Sequence, residues 1–177
     1  VGYDLRFTTL QEFRQLWSPH LSAAYMKELE KDIGKKGSKS RERELINAGI
    51  TITFDKAWAV FTKETLSKHY DKTLKIYPSL SRLPDLCRSV LVSLVFNRGN
   101  SLASDSSDDR RREMRVIRDI LAKADDNALP REDRKATLTK VENELISMQR
   151  LWPPRTGVYK RRQNEANLWR KGLQDWR

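Results

Sequence analysis

The sequence has few of the residues that tie a fold together through covalent or metal links. Its one cysteine, Cys87, excludes an internal disulfide, and its two histidines, His20 and His69, form no Cys/His spacing of the zinc type. Neither a metal nor a cofactor is expected. Seven glycines and six prolines in 177 residues argue against a low-complexity chain. The longest apolar run, Val90 to Phe96, is far too short to cross a bilayer, so membrane insertion is not expected. Val1-Gly2-Tyr3-Asp4-Leu5 has none of the charged and apolar regions of a signal peptide, and position 1 reads as a processing or domain boundary.

Charge is abundant. Charged residues make up 33% of the chain, hydrophobic ones 38%, and the formal net charge is +11. The length suits one domain with a single core. The positive surplus attracts polyanions without choosing among nucleic acid, anionic lipid and wall polymer.

Apolar spacing predicts a mainly α protein with little sheet and no internal repeat. Leu10, Phe13, Leu16 and Trp17 form one stripe. Ser22 caps a second helix carrying Tyr25, Met26, Leu29 and Ile33, with Gly34 at its end. A basic turn over residues 35–40 precedes a short helix from Arg41 to Ala48, and Ile50 to Thr53 reads as extended. Thr53 is placed to cap a long helix to Tyr77 with Ala57, Phe61, His69 or Tyr70, Leu74 and Tyr77 on its inner stripe. Pro84 opens a helix whose body, Leu86 to Phe96, is apolar nearly all round and is expected to be the central helix. Ser101 to Asp109 reads as an acidic loop. Three helices follow: Arg110 to Ala124 with Met114, Ile117, Ile120 and Leu121 inward; one from Pro130 or Arg131 to Leu151 with Leu138, Val141, Leu145, Ile146 and Met148 inward; and one from Gly157 or Val158 with Tyr159, Ala166, Leu168, Trp169 and Leu173 inward.

Two of these helices carry a resemblance. Leu91-Val92-Ser93-Leu94-Val95-Phe96-Asn97-Arg98-Gly99 resembles the buried helix of phage-type lysozymes, which commonly ends in Phe-Asn-x-Gly. Gly157-Val158-Tyr159-Lys160-Arg161-Arg162-Gln163-Asn164-Glu165, followed by Leu168-Trp169, is similar to the Gly-Leu-x-x-Arg-Arg-x-x-Glu helix that closes those enzymes. The stretch from Ile50 to Ala57 resembles the capped start of their lobe-connecting helix, and Trp152 falls where they often carry a tryptophan. Val1 to Leu5 resembles the end of the Thr-x-Gly-x-Gly-Tyr-Asp-Leu segment of pesticin-like muramidases. Lys35 to Ala48 and the acidic loop near Asp105 depart from the compact phage enzymes as insertions.

The resemblance implies a lysozyme-like domain over residues 1–177, the C-terminal part of a larger protein. Its small N-terminal lobe would be joined by the Phe54 to Tyr77 helix to a helical C-terminal lobe, with the cleft between them. It implies a muramidase that cleaves the β-1,4 bond between N-acetylmuramic acid and N-acetylglucosamine, without cofactor. The partner would be peptidoglycan glycan strands, the protein a monomer, with room for an immunity protein. Action would lie in the periplasm or outside the producing cell, after delivery by a phage, a bacteriocin route or a secretion system.

Glycoside hydrolysis needs one carboxyl to protonate the leaving oxygen and a second group to stabilise the oxocarbenium-like centre or activate water. The resemblance gives Asp4 the second role and places the general-acid glutamate before Val1. It gives Tyr3, Asn97 and Arg98 contacts with sugar, and gives Arg161 and Arg162 the orientation of the general acid. Read alone, Asp4 is a turn or cap aspartate, Asn97 and Arg98 satisfy a helix terminus, and Arg161 and Arg162 are solvated helix charges. Glu12 reads as an outward helix residue, Trp152 as packing, and Cys87 as a small buried hydrophobe.

Two further readings stand beside the hydrolase. One is a noncatalytic remnant that only binds peptidoglycan. The other is a basic nucleic-acid module using Lys35, Lys36, Lys39, Arg41, Arg43 and Arg110 to Arg112 on phosphates. The latter lacks a recognition-helix motif, and no exposed set of stacking aromatics is expected; the preferred reading has no nucleic-acid partner.

Overall fold

The computed structural model describes residues 3–104 and 108–176. Val1 and Gly2 of the muramidase-like opening, and Asp105 to Ser107 of the expected acidic loop, lie outside the described residues. The protein is mainly α, with no strand among the described residues. It divides into two compact units, Val1–Lys68 and His69–Arg177, each with its own apolar cluster, so the single core expected from length gives way to two.

In the first unit a short 3-10 turn, Leu5–Phe7, precedes α1 (Leu10–Trp17), α2 (Ala23–Glu30) and α3 (Lys39–Asn47). Thr9 closes a capping box with Glu12, and Ser22 and Ser38 accept N–H bonds at the starts of α2 and α3, which satisfies donors that a helix start leaves open. Phe13, Trp17, Leu21, Met26, Leu29 and Val60 form the core. Leu10, expected on the inner stripe of α1, is exposed. It is the first residue of a two-turn helix, and only Phe13 and Trp17, four apart, become fully enclosed.

The long helix expected from Phe54 consists of α4 (Phe54–Val60), a π-helical stretch (Phe61–Thr65) and α5 (Leu66–Ile76). The boundary between the units falls within α5. Thr53 holds the cap position but its side chain makes no capping bond. The π turn inserts one residue relative to α-helical register. Thr73 on α5 and Tyr77 just past its end, four apart, are buried with Tyr70 half-buried three residues before Thr73, an ordinary helical stripe, while Leu74, expected inside, is exposed.

The second unit is built around α6 (Asp85–Arg98), whose Cys87, Val90, Leu91, Val92, Leu94 and Val95 are buried. Helices α7 (Arg112–Ala124), α8 (Arg131–Ser147) and α9 (Gly157–Gln174) pack about it and one another. Gly172 on α9 meets α6 closely, since a Cβ there would lie 2.8 Å from Cys87 Sγ. On α9 the inner face runs through Arg162, Glu165, Ala166, Trp169, Gly172 and Leu173, whereas Leu168, expected inside, is exposed. A stripe drawn through apolar residues alone misplaces this face, because two of its members are charged. Among the described residues no helix is long and apolar enough to cross a membrane, and no group of three or more His, Cys, Asp or Glu is arranged to hold a metal ion.

Candidate functional site

The last turn of α6 carries Asn97 and Arg98, and Gly99 ends the helix at φ 76°, a conformation that disfavours any side chain with a Cβ. Asn97, Arg98, Arg110, Arg111, Trp152 and Val158 line a pocket of about 250 Å³. The Arg98 guanidinium lies 5.1 Å from the centre of the Trp152 ring and donates to the Arg110 carbonyl. Arg162 lies 5.9 Å from the same ring, and its Nη2 stands 3.5 Å from Asn97 Oδ1. Trp152 thus both packs on the core and forms a wall of the pocket.

Two buried ionic networks fix the surroundings. Ser93 Oγ donates to Glu165 Oε1 at 2.6 Å, and Arg162 Nη2 donates to the same oxygen at 2.9 Å. Arg161 donates to Glu165 and to the Ser93 hydroxyl and carbonyl. Burial pushes the Glu165 carboxyl above the usual carboxylate range, and Arg162, Ser93 and Arg161 pull against that shift. Arg162 has no exposed surface, and burial lowers the proton affinity of its guanidinium.

Glu113, at the start of α7, is likewise buried. It accepts from Arg150 Nε at 2.7 Å, from Arg112 Nη2 at 3.0 Å and from Ser147. Burial works to raise its pKa, but these donors outweigh it and hold the carboxyl below the usual range. Arg150 also donates to the carbonyls of Asp108 and Asp109, and Arg115 pairs with Asp109, so the segment leading into Arg110 and Arg111 is tied down.

The first unit holds the other residues singled out from the sequence. Asp4 is exposed and caps the 3-10 turn, Oδ1 accepting from Arg6 N–H at 2.9 Å, while Oδ2 has no partner among the described residues. Tyr3 is half-buried, its hydroxyl 2.6 Å from Thr8 Oγ1 and its ring edge-on to Trp17. Glu12 is not simply outward: it serves the α1 capping box and pairs with Lys68 at 2.6 Å, the Lys68 hydrogen bond being the main cause of its lowered pKa. The expected absence of an exposed aromatic set is overturned. Phe54, 68% exposed, stacks at 5.8 Å on Trp58, 48% exposed, which in turn lies 5.5 Å from Phe61. One ground for setting the nucleic-acid reading aside falls with it.

Within the second unit, then, the structure gathers Asn97, Arg98 and Arg162 around Trp152, with Arg161 anchored beside them on Ser93. The sequence reading missed Ser93, Glu113, Glu165 and Val158 as parts of this region and took Arg110 and Arg111 only as surface phosphate contacts. The signal for Ser93 and Glu165 was a polar residue on the inward face of an otherwise apolar helix, visible at a period of 3.6 once the charged residues are counted as candidates. Cys87 is buried, with its thiol pushed up to about 12 by burial, far from the low pKa of a nucleophilic thiol. No protein-family model, curated protein or solved structure matches the chain.

Proposed function

We propose that this protein is a peptidoglycan hydrolase of the lysozyme class, which cleaves the β-1,4 bond between N-acetylmuramic acid and N-acetylglucosamine. One observation carries the reading: the two strings that resemble phage-type lysozymes, separated by more than fifty residues, are locked side by side through the Ser93–Glu165–Arg161–Arg162 network, and the helix end they share opens on a pocket. Asn97 is exposed there and offers an amide that both donates and accepts, suited to a sugar N-acetyl group. Trp152 supplies an apolar wall.

In this reading Asp4 activates or positions water, using the carboxylate oxygen that Arg6 leaves open. The reading also requires a general-acid glutamate, and Tyr3 contacts sugar beside Asp4. Arg161, half-exposed and held by Glu165 and Ser93, orients the acid, and the enclosed Arg162 acts behind it by holding Glu165. The protein acts on the wall, outside the cytoplasm.

The test is release of soluble muropeptides from purified sacculi by the natural full-length protein. Asp4→Asn should lower the rate by about 10²-fold or more while leaving the Tm unchanged. Undiminished release by that variant would remove Asp4 from the mechanism; no release by the unaltered protein would refute hydrolysis.

The second reading, a noncatalytic wall binder, is favoured by the cap that Asp4 makes, since local structure alone accounts for this aspartate. Retention on sacculi without release of products would select it.

A further inference from the structure

We propose that the pocket at the end of α6 is a binding site for a single phosphate group, free or carried as the ester of a compact organic moiety. Three arginines line it, Arg98, Arg110 and Arg111. Among the described residues no carboxylate pairs with any of them: Arg98 donates to the Arg110 carbonyl, Arg111 reaches the Met114 sulfur, and the Arg110 side chain makes no hydrogen bond. Three arginines close to them in this unit are matched to carboxylates. Arg115 pairs with Asp109, Arg150 with Glu113, and Arg162 with Glu165. Asp109, Glu113 and Glu165 are thus engaged by other arginines, and among the described residues no carboxylate lines the pocket.

That field acts on the pocket's own wall. Burial, together with the like charges of Arg111, Arg162 and Arg110, pushes Arg98 down to about 10, and its buried Nε has no acceptor. A bound anion relieves the repulsion among these groups. Peptide dipoles do not decide the sign: α6 ends and α7 begins beside the pocket, contributing opposite partial charges of about half a unit each, which leaves three full positive charges in command.

Guanidinium forks match both carboxylate and phosphate. Charge separates the two, because a phosphate ester carries about −1.5 to −2 at neutral pH and balances three arginines better than a single carboxylate does. Size limits the rest of the ligand. At about 250 Å³ the pocket is smaller than the roughly 300–1,000 Å³ typical of drug-sized ligands, so it suits a phosphate and a small attached group lying against Trp152 and Val158.

The phosphate shares with the proposed sugar site the pocket walled by Trp152, taking its arginine side, yet the two readings are told apart because phosphate binding and sacculus degradation are separate measurements and either can fail alone. The protein is titrated calorimetrically at physiological ionic strength with inorganic phosphate, glycerol 3-phosphate, acetate and a single-stranded oligonucleotide. A rise in Tm with phosphate gives a readout that needs no variant. One phosphate or one glycerol 3-phosphate should bind per chain, and R110Q/R111Q should weaken it about tenfold or more. The charge-matched control R118Q/R170Q, at arginines paired with Asp119 and Glu142, should not change the affinity. Tighter binding of the ester than of free phosphate identifies an ester as the ligand, whereas equal affinity identifies the phosphate group alone. Acetate binding as tightly as phosphate, equal weakening in both variants, or binding of the oligonucleotide alone would each overturn the proposal.

Discussion

The ion pairs described in the first unit lie at the surface, whereas the second, beside surface pairs of its own, builds two networks around the buried Glu113 and Glu165. Arg41 gathers Glu28, Asp32 and Glu44, and Arg14 takes Glu30 in a two-pronged pair, yet every one of these groups retains contact with solvent. Exposed pairs of this kind contribute about 0–1 kcal/mol, since solvent screens them and ordering long side chains costs entropy. Arg162 and Glu165 are enclosed, and Glu113 has no exposed surface. There the pairing energy is largely offset by desolvation, and removing one partner leaves a charge stranded. The difference teaches where charge dictates geometry. In the first unit it decorates helices positioned by caps and a small core, while in the second it fixes α6, α7 and α9 around the pocket.

The strongest way to break the comparison is Arg162→Met. It leaves buried Glu165 with only Ser93 and the half-exposed Arg161 as donors and should cost about 3–5 kcal/mol, read as a fall in the urea midpoint; a loss under about 1 kcal/mol would place this pair on a par with the surface ones. Gly172→Ala probes the same interface by shape. Its new Cβ would meet Cys87 Sγ at 2.8 Å and Leu86 Cβ at 3.0 Å, and overpacking of that kind costs about 1–3 kcal/mol in thermal unfolding.

A subtler contrast lies between the two buried glutamates. Glu113 is held below the ordinary glutamate value of 4.5, so its stabilisation is complete above about that pH and drains away as pH falls through its lower folded value. Glu165 is pushed above 4.5, so its contribution is complete below about that pH and is lost as pH rises through its higher folded value. Urea midpoints followed against pH should lose acid sensitivity in Glu113→Gln and lose the decline above 4.5 in Glu165→Gln. Identical profiles in the two variants would show that the networks are not distinct. The smallest effect belongs to Arg41→Gln, which should shift the urea midpoint by no more than about 1 kcal/mol in equivalent stability, despite the three carboxylates around Arg41.

Helix placement was legible in the sequence where caps and apolar period agreed. Ser22 at α2, the apolar body of α6 and the glycine at its end all stand where residue type alone put them. The π turn was not legible, because Phe61 to Thr65 contains nothing that distinguishes an inserted residue from an ordinary turn. Nor was the burial of Thr73 in place of Leu74, since its hydroxyl is satisfied by the His69 carbonyl and a search for apolar residues passes over it. The inner face of α9 was misread for a chemical reason: Arg162 and Glu165 satisfy one another, which allows two charges where an apolar stripe leads one to look for Leu168. At the candidate site, Asn97 and Arg98 could be chosen from the helix end, but Arg110, Arg111 and Val158 reach the pocket through tertiary packing that no local spacing encodes.

The most direct measurement of the central claim is a titration of the isotopically labelled protein with a defined N-acetylmuramic acid–N-acetylglucosamine oligomer, followed by NMR. Saturable shifts at the Asn97 side-chain amide, the Trp152 indole and the Val158 methyls are the result expected. A spectrum unmoved at all three positions, under conditions in which the oligomer binds elsewhere or not at all, would contradict it.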